Sequence, residues 1–233
     1  MALRLGLVNV GAVDVARVVR FWAEALGWPA YDGGASAYVG SGGPVGIGVV
    51  PVPEPKRAAK NRLHLDLASS SPAHQSELVA RLRALGATPA DVGQGDVPWT
   101  VLGDPEGNEF CVLEPRDTYR DTGPIAAVVV DCVDPRAMAR FWSAATDWTV
   151  HEVADGQAAL RHPEGVGPYL EFLRTPAPST LPDRLRLALL PHPDADRATE
   201  LARLGTLGAT DLGHGVLADP EGHEFCVLGT GGS

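Results

Sequence analysis

The feature that most constrains this chain is that it repeats itself. Asp104-Pro-Glu-Gly-Asn-Glu-Phe-Cys-Val-Leu113 returns as Asp219-Pro-Glu-Gly-His-Glu-Phe-Cys-Val-Leu228, differing only at Asn108 and His223. Phe21-Trp22 with Trp28 returns as Phe141-Trp142 with Trp148, and Leu85-Gly-Ala-Thr88 as Leu207-Gly-Ala-Thr210. Two copies of one apolar pattern must bury it in the same way, so the chain holds two copies of one fold. The halves run over 1–116 and 124–229. Residues 117–123 are the linker, within a polar stretch from Glu114 to Gly123 that carries Pro and Gly.

Each half divides again, giving units 1–60, 61–116, 124–182 and 183–229. Asp14 caps a helix with Val15, Val18, Val19, Trp22 and Leu26 at helical spacing, and Gly27 ends it. Asp134-Pro135 opens the matching helix with Met138, Phe141 and Trp142 on its face. Leu63-His-Leu-Asp-Leu67 alternates as a half-buried strand. Ser71-Pro72 then starts a helix with Leu78, Leu82 and Leu85, stopped by Gly86. The strand Leu185–Leu189 and a helix carrying Leu201 and Leu204 do the same in the second half. The Asp-Pro-Glu-Gly segments join the last two strands of each half as turns. The class is α+β, built from four βαβββ units.

The formal net charge of −10 and the lack of a clustered basic patch argue against nucleic-acid binding. Lys56-Arg57 with Lys60 and Arg62 reads as a solvated loop before a strand. No apolar run approaches a membrane span, and Leu5–Val13 recurs as Ile125–Val133, so both read as first strands. Three cysteines without close pairing fit a reduced, cytoplasmic protein, monomer or homodimer. Gly40–Gly48 lacks a Gly-Lys-Ser/Thr ending and reads as a flexible hairpin, not a phosphate loop.

Phe21-Trp22…Leu26-Gly27-Trp28, Lys60-Asn-Arg-Leu-His-Leu-Asp-Leu67, Trp99…Asp104-Pro-Glu-Gly-Asn-Glu-Phe-Cys-Val-Leu113 and their second copies resemble the glyoxalase/bleomycin-resistance/extradiol-dioxygenase (vicinal oxygen chelate) superfamily. The resemblance spans nearly the whole chain and implies paired units curling into two glyoxalase-like half-open barrels around pockets. It leaves open whether barrels form within or between the halves. Metal-dependent members place ligands on first strands and on the last strand, usually a Glu seven residues after the turn Asp. Here those positions hold Leu7, Ala127, His64, Arg186, Cys111 and Cys226. Leu, Ala and Arg cannot ligate, so the expectation is no metal and no cofactor, with rescue by Asp66 or Glu109 as the exception.

Alternation places Asn9, His64, Asp66, Glu109 and Cys111 on one concave face, with Trp99 as a wall. The corresponding face of the second half holds Ala127, Val129, Asp131, Arg186, Ala188, His214, Glu224 and Cys226. There Arg186 pairs with Asp131 or Glu224 as a plug, or serves in anion recognition. Trp22 and Trp142 read as core. His64 and Asp66 form either a hydrogen-bonded network or a general acid/base pair. Three functions follow in order: a pocket that sequesters a small organic molecule; a metal-independent isomerase, lyase or cyclase using His64 and Asp66; and a metal-dependent glyoxalase or dioxygenase type of enzyme.

Overall fold

A computed structural model describes residues 3–34, 36–176 and 182–229. The first unit is β1 (Leu3–Ala12), α1 (Val15–Leu26), β2 (Ala30–Asp32), β3 (Ala37–Val39) and β4 (Gly46–Pro51). The second is β5 (Leu63–Leu67), α2 (Pro72–Ala84), β6 (Thr88–Pro89), β7 (Thr100–Gly103) and β8 (Glu109–Val112). The third is β9 (Ile125–Cys132), α3 (Pro135–Ala145), β10 (Thr149–Ala154), β11 (Gln157–Arg161) and β12 (Tyr169–Arg174). The fourth is β13 (Leu185–Pro191), α4 (Arg197–Thr206), β14 (Thr210–Gly213), β15 (Val216–Ala218) and β16 (Glu224–Val227). Among the described residues no helix is long and apolar enough to cross a membrane.

The helix signals act as their chemistry demands. Asp14, Ser71 and Asp134 accept backbone N–H bonds from the first turns of α1, α2 and α3. Gly27 takes the left-handed conformation that ends α1, at φ 66°.

The strands assemble into two eight-stranded mixed sheets, neither closed into a barrel, and each takes one unit from either half. In the first sheet β1 runs antiparallel to β13, joining the first and fourth units. In the second, β5 runs antiparallel to β9, joining the second and third. The pairing left open by the sequence is therefore between the halves.

The repeated motifs explain what remains within each half. Phe21 and Trp22 of α1 pack on Phe110 of β8, with ring centroids 6.0 and 5.2 Å apart. Phe141 and Trp142 of α3 pack on Phe225 of β16 at 6.2 and 5.1 Å. Each half thus wedges its first helix against its own last strand, in the other sheet. The turn glutamates do the same by hydrogen bonding. Val13 and Asp14 N–H donate to Glu106 at 2.9 and 2.6 Å, and Val133 and Asp134 N–H donate to Glu221 at 2.6 and 2.8 Å. A carboxylate suits those helix entrances, whose N–H groups lack intrahelical partners.

One loop reading changes and another is refined. Lys56 and Arg62 do not lie on a solvated loop: Lys56 pairs with Glu109 at 2.7 Å and Arg62 with Asp183 at 2.5 Å, all four side chains being largely buried. Residues 40–45 do connect a hairpin, between the antiparallel β3 and β4, while Gly46 and Gly48 already belong to strand β4. A Cβ at Gly48 would stand 2.1 Å from Asn9 Oδ1, so only glycine lets Asn9 lie across this strand.

Candidate ligand-binding cleft

Side-chain alternation on the central strands gives each sheet one face packed on helices and one concave face. On β5, Leu63, Leu65 and Leu67 join the core, which turns His64 and Asp66 the other way. His64 stands opposite Val129 of β9, and Val129 stands opposite Glu171 of β12. His64 and Glu171 therefore lie two strands apart, about 9–10 Å between backbones. Asp66 stands opposite Ala127 on one side and Cys111 of β8 on the other. A cleft of about 310 Å³ opens beside these polar groups, with the short side chains of Ala158 and Ala159 of β11 in its lining. Trp99, Leu113, Ala159 and Leu173 supply apolar wall.

The linker completes the cleft. Its single 3-10 turn, Asp117–Tyr119, brings Tyr119 into the wall, where the hydroxyl donates to Glu171 at 2.8 Å. The Arg116 guanidinium lies 5.7 Å from the Trp99 ring and 5.9 Å from the Tyr119 ring, held by Glu114 at 2.6 Å.

Burial governs the charges. It pushes His64 down to about 3, helped by the nearby Lys60 charge, so the imidazole is neutral. It pushes Asp66 up to about 7, against a hydrogen bond from the Cys111 thiol and with the Glu171 charge adding to the rise. Glu171, the Cys111 thiol and the Tyr119 hydroxyl are all pushed upward, again first by burial. Cys111 is thus a thiol and not a nucleophile in the resting protein. His64 Nε2 lies 3.5 Å from Asp66 Oδ1, while His64 Nδ1 and Asp66 Oδ1 have no hydrogen-bond partner. Orphaned buried polar atoms are costly and call for a ligand or solvent to satisfy them.

The resemblance raises the question of a metal. His64, Asp66 and Cys111 each offer a ligand atom, all within 4.8 Å of one another. Imidazole nitrogen, carboxylate oxygen and thiolate sulfur form a donor set that fits a borderline-soft divalent cation such as zinc. Counting only the implied first- and last-strand positions found two of these three; Asp66, two residues along β5, is the third. Glu109 does not contribute, because Lys56 occupies its carboxylate.

The other sheet's concave face carries polar pairs of its own. Arg186 pairs with Glu224, and Asn9 Nδ2 donates to Cys226 Sγ at 3.4 Å. Of Arg186's two expected partners, Glu224 is the one found; Asp131 lies in the other sheet and pairs with Lys60 at 2.5 Å.

Strand pairing between the halves thus redistributes the residues expected together. His64, Asp66, Cys111 and Trp99 do share one cleft. Asn9 does not join them, since β1 belongs to the other sheet, and Glu109 turns toward Lys56 and the Asn61 backbone. Ala127, Val129 and Asp131 lie beside His64 and not beside Arg186. His214 is exposed in the β14–β15 turn at φ 55°, away from either face. Trp22 and Trp142 are core, at 2% and 1% exposure. Sequence reading missed Glu171, Arg116 and Tyr119. Glu171 did leave a signal, an acidic residue between Leu170 and Phe172 in a strand pattern.

The fold has clear relatives among solved structures. Glyoxalase I from Zea mays superposes with a TM-score of 0.66 at 15% identity, covering 97% of this chain and 92% of that one. A putative dioxygenase from Bacillus subtilis subsp. subtilis str. 168 gives 0.61 at 11%, covering 97% and 85%. At such identities the likeness concerns the fold alone. No curated protein matches the sequence significantly. The family model of the glyoxalase-like domain matches residues 7–113 and again 127–228. With both halves matched over most of their length, the chain belongs to the glyoxalase-like domain family.

Proposed function

We propose that this protein binds a small organic molecule in the cleft between the second and third units, without requiring a metal, and that Asp66 is placed to exchange a proton with it. The observation that carries this reading is the cleft itself. It has apolar walls, small side chains in the sheet beside it, and two buried polar groups with unsatisfied atoms, Asp66 Oδ1 and His64 Nδ1. Asp66 suits the proton-transfer role better than His64. A carboxyl brought near neutrality both accepts and returns a proton at ordinary pH, whereas an imidazole at about 3 is a weak base. Neutral His64 then orients the ligand or Asp66 by hydrogen bonding. If turnover accompanies binding, the reaction class is a proton-shifting isomerisation or elimination.

A second reading rests on the convergence of His64, Asp66 and Cys111, which would hold a divalent cation there. Such a cation would polarise a carbonyl or lower the pKa of a bound hydroxyl.

One experiment separates the two. Protein dialysed against chelator is screened by thermal shift against a panel of small amines, acids and carbonyl compounds, with and without zinc. Metal-free binding predicts a stabilising compound that acts without zinc, is unaffected by Cys111→Ser, and loses its effect in Asp66→Asn. Stabilisation that appears only with zinc and disappears in Cys111→Ser supports the second reading and overturns the first.

A further inference from the structure

The charges around the cleft do not balance, and the imbalance names the kind of ligand. Two cations lie at its edge, and both are engaged by carboxylates: Lys60 Nζ lies 2.5 Å from Asp131 and Arg116 Nε 2.6 Å from Glu114. Three further carboxyls, Asp66, Glu152 and Glu171, line the same cavity with no Lys or Arg partner among the described residues. Asp66 is 8% exposed and one of its oxygens has no hydrogen-bond partner; neither has Nδ1 of His64, which is 7% exposed. A buried carboxyl without a counter-charge is unfavourable, and an arriving cation relieves that cost while an anion adds to it. The wall is matched to the same chemistry. Trp99 and Tyr119 present ring faces that already flank a guanidinium, that of Arg116.

We propose that the cleft takes an organic cation: a protonated amine seated toward Asp66 and Glu171, carried on an apolar or aromatic body that lies against Trp99, Leu113 and Leu173. A cavity of about 310 Å³ accommodates one ring with a short chain. The proposal deepens the reading of this cleft as a binding site and rests on it. It differs from the metal reading in the charge carrier, since an ammonium group satisfies carboxylates without requiring the Cys111 thiol to ionise.

The test uses three probes of one shape, benzylamine, benzyl alcohol and benzoate, titrated at millimolar concentration into the chelator-dialysed full chain by calorimetry. The expected result is that benzylamine binds about tenfold or more tightly than benzyl alcohol, with benzoate weakest. Glu171→Gln and Asp66→Asn should each weaken benzylamine binding more than benzyl alcohol binding, so that the preference shrinks. Glu171→Gln serves as the check if Asp66→Asn fails to fold. Equal binding of amine and alcohol, or tighter binding of benzoate, overturns the cation assignment and leaves the cleft as a binding site. Binding by none of the three overturns both. Amine binding that persists unchanged in both variants places the cation elsewhere and also overturns the assignment.

Discussion

His223 stands where the first half has Asn108, and it adds a charge to an otherwise repeated turn. Its Nδ1 lies 3.0 Å from Asp219 Oδ1, and its Nε2 lies 2.7 Å from the Asp131 carbonyl. Both partners are acceptors, so both nitrogens donate, and only the imidazolium has two N–H groups. Burial disfavours that charge, but the hydrogen bond and charge of Asp219 outweigh it and raise the pKa above 6.5. A raised pKa stabilises the fold fully below 6.5, and this contribution is lost as pH rises through the higher native value. His223→Asn, which copies the first half, should therefore be less stable than wild type at pH 6. The gap should narrow toward pH 9, as read by urea unfolding; a gap independent of pH refutes the imidazolium. The sequence showed the Asn-to-His difference, but not its meaning. The acceptor that makes it a double donor comes from β9, 92 residues away in the chain.

At the scale of elements, the Asp-Pro-Glu-Gly turn was legible as a turn, yet its glutamate was not legible as a cap for a helix in the other sheet. Glu106 and Glu221 each accept two helix-entrance N–H bonds, and Glu106 also holds Arg184 at 2.6 Å. Removing a charged acceptor from N–H groups costs about 1–3 kcal/mol. Glu221→Ala should fall in that range. Glu106→Ala should cost more, because it also strips Arg184, whose side chain is 12% exposed, of its carboxylate. Urea midpoints with unchanged slopes check this, and equal losses in the two variants contradict the added role of Arg184. Several helix boundaries, by contrast, were readable, although the Asp196 cap of α4 was not picked out. Caps such as Asp14, Ser71 and Asp134 act through their own next turn, which lies in the local sequence.

The whole molecule uses its two halves in two ways: each half wedges a helix against its own last strand, while every central strand pair joins different halves. Residue patterning fixes which face of a strand is apolar, but the same pattern recurs in all four units, so it cannot choose β9 over β1 as the partner of β5. That ambiguity is why Asn9 was expected beside His64, and why Ala127 was counted as a missing ligand in a separate barrel. It is also why Glu171, Arg116 and the linker residue Tyr119 were missed. Residues 1–116 expressed alone keep the Phe21–Trp22–Phe110 wedge but leave β1 and β5 without antiparallel partners. Unpaired central strands are sticky edges, so this fragment should self-associate, with light scattering giving at least twice the monomer mass. A folded, cooperatively unfolding monomer would contradict the cross-half pairing as a requirement. The cleft between the second and third units is proposed as the working site. It is tested most directly by soaking crystals of the full chain with a fragment library. Fragment density is expected against Asp66, Trp99 and Glu171. Density confined to the other concave face, against Arg186 and Cys226, with the His64 cleft empty, would contradict it.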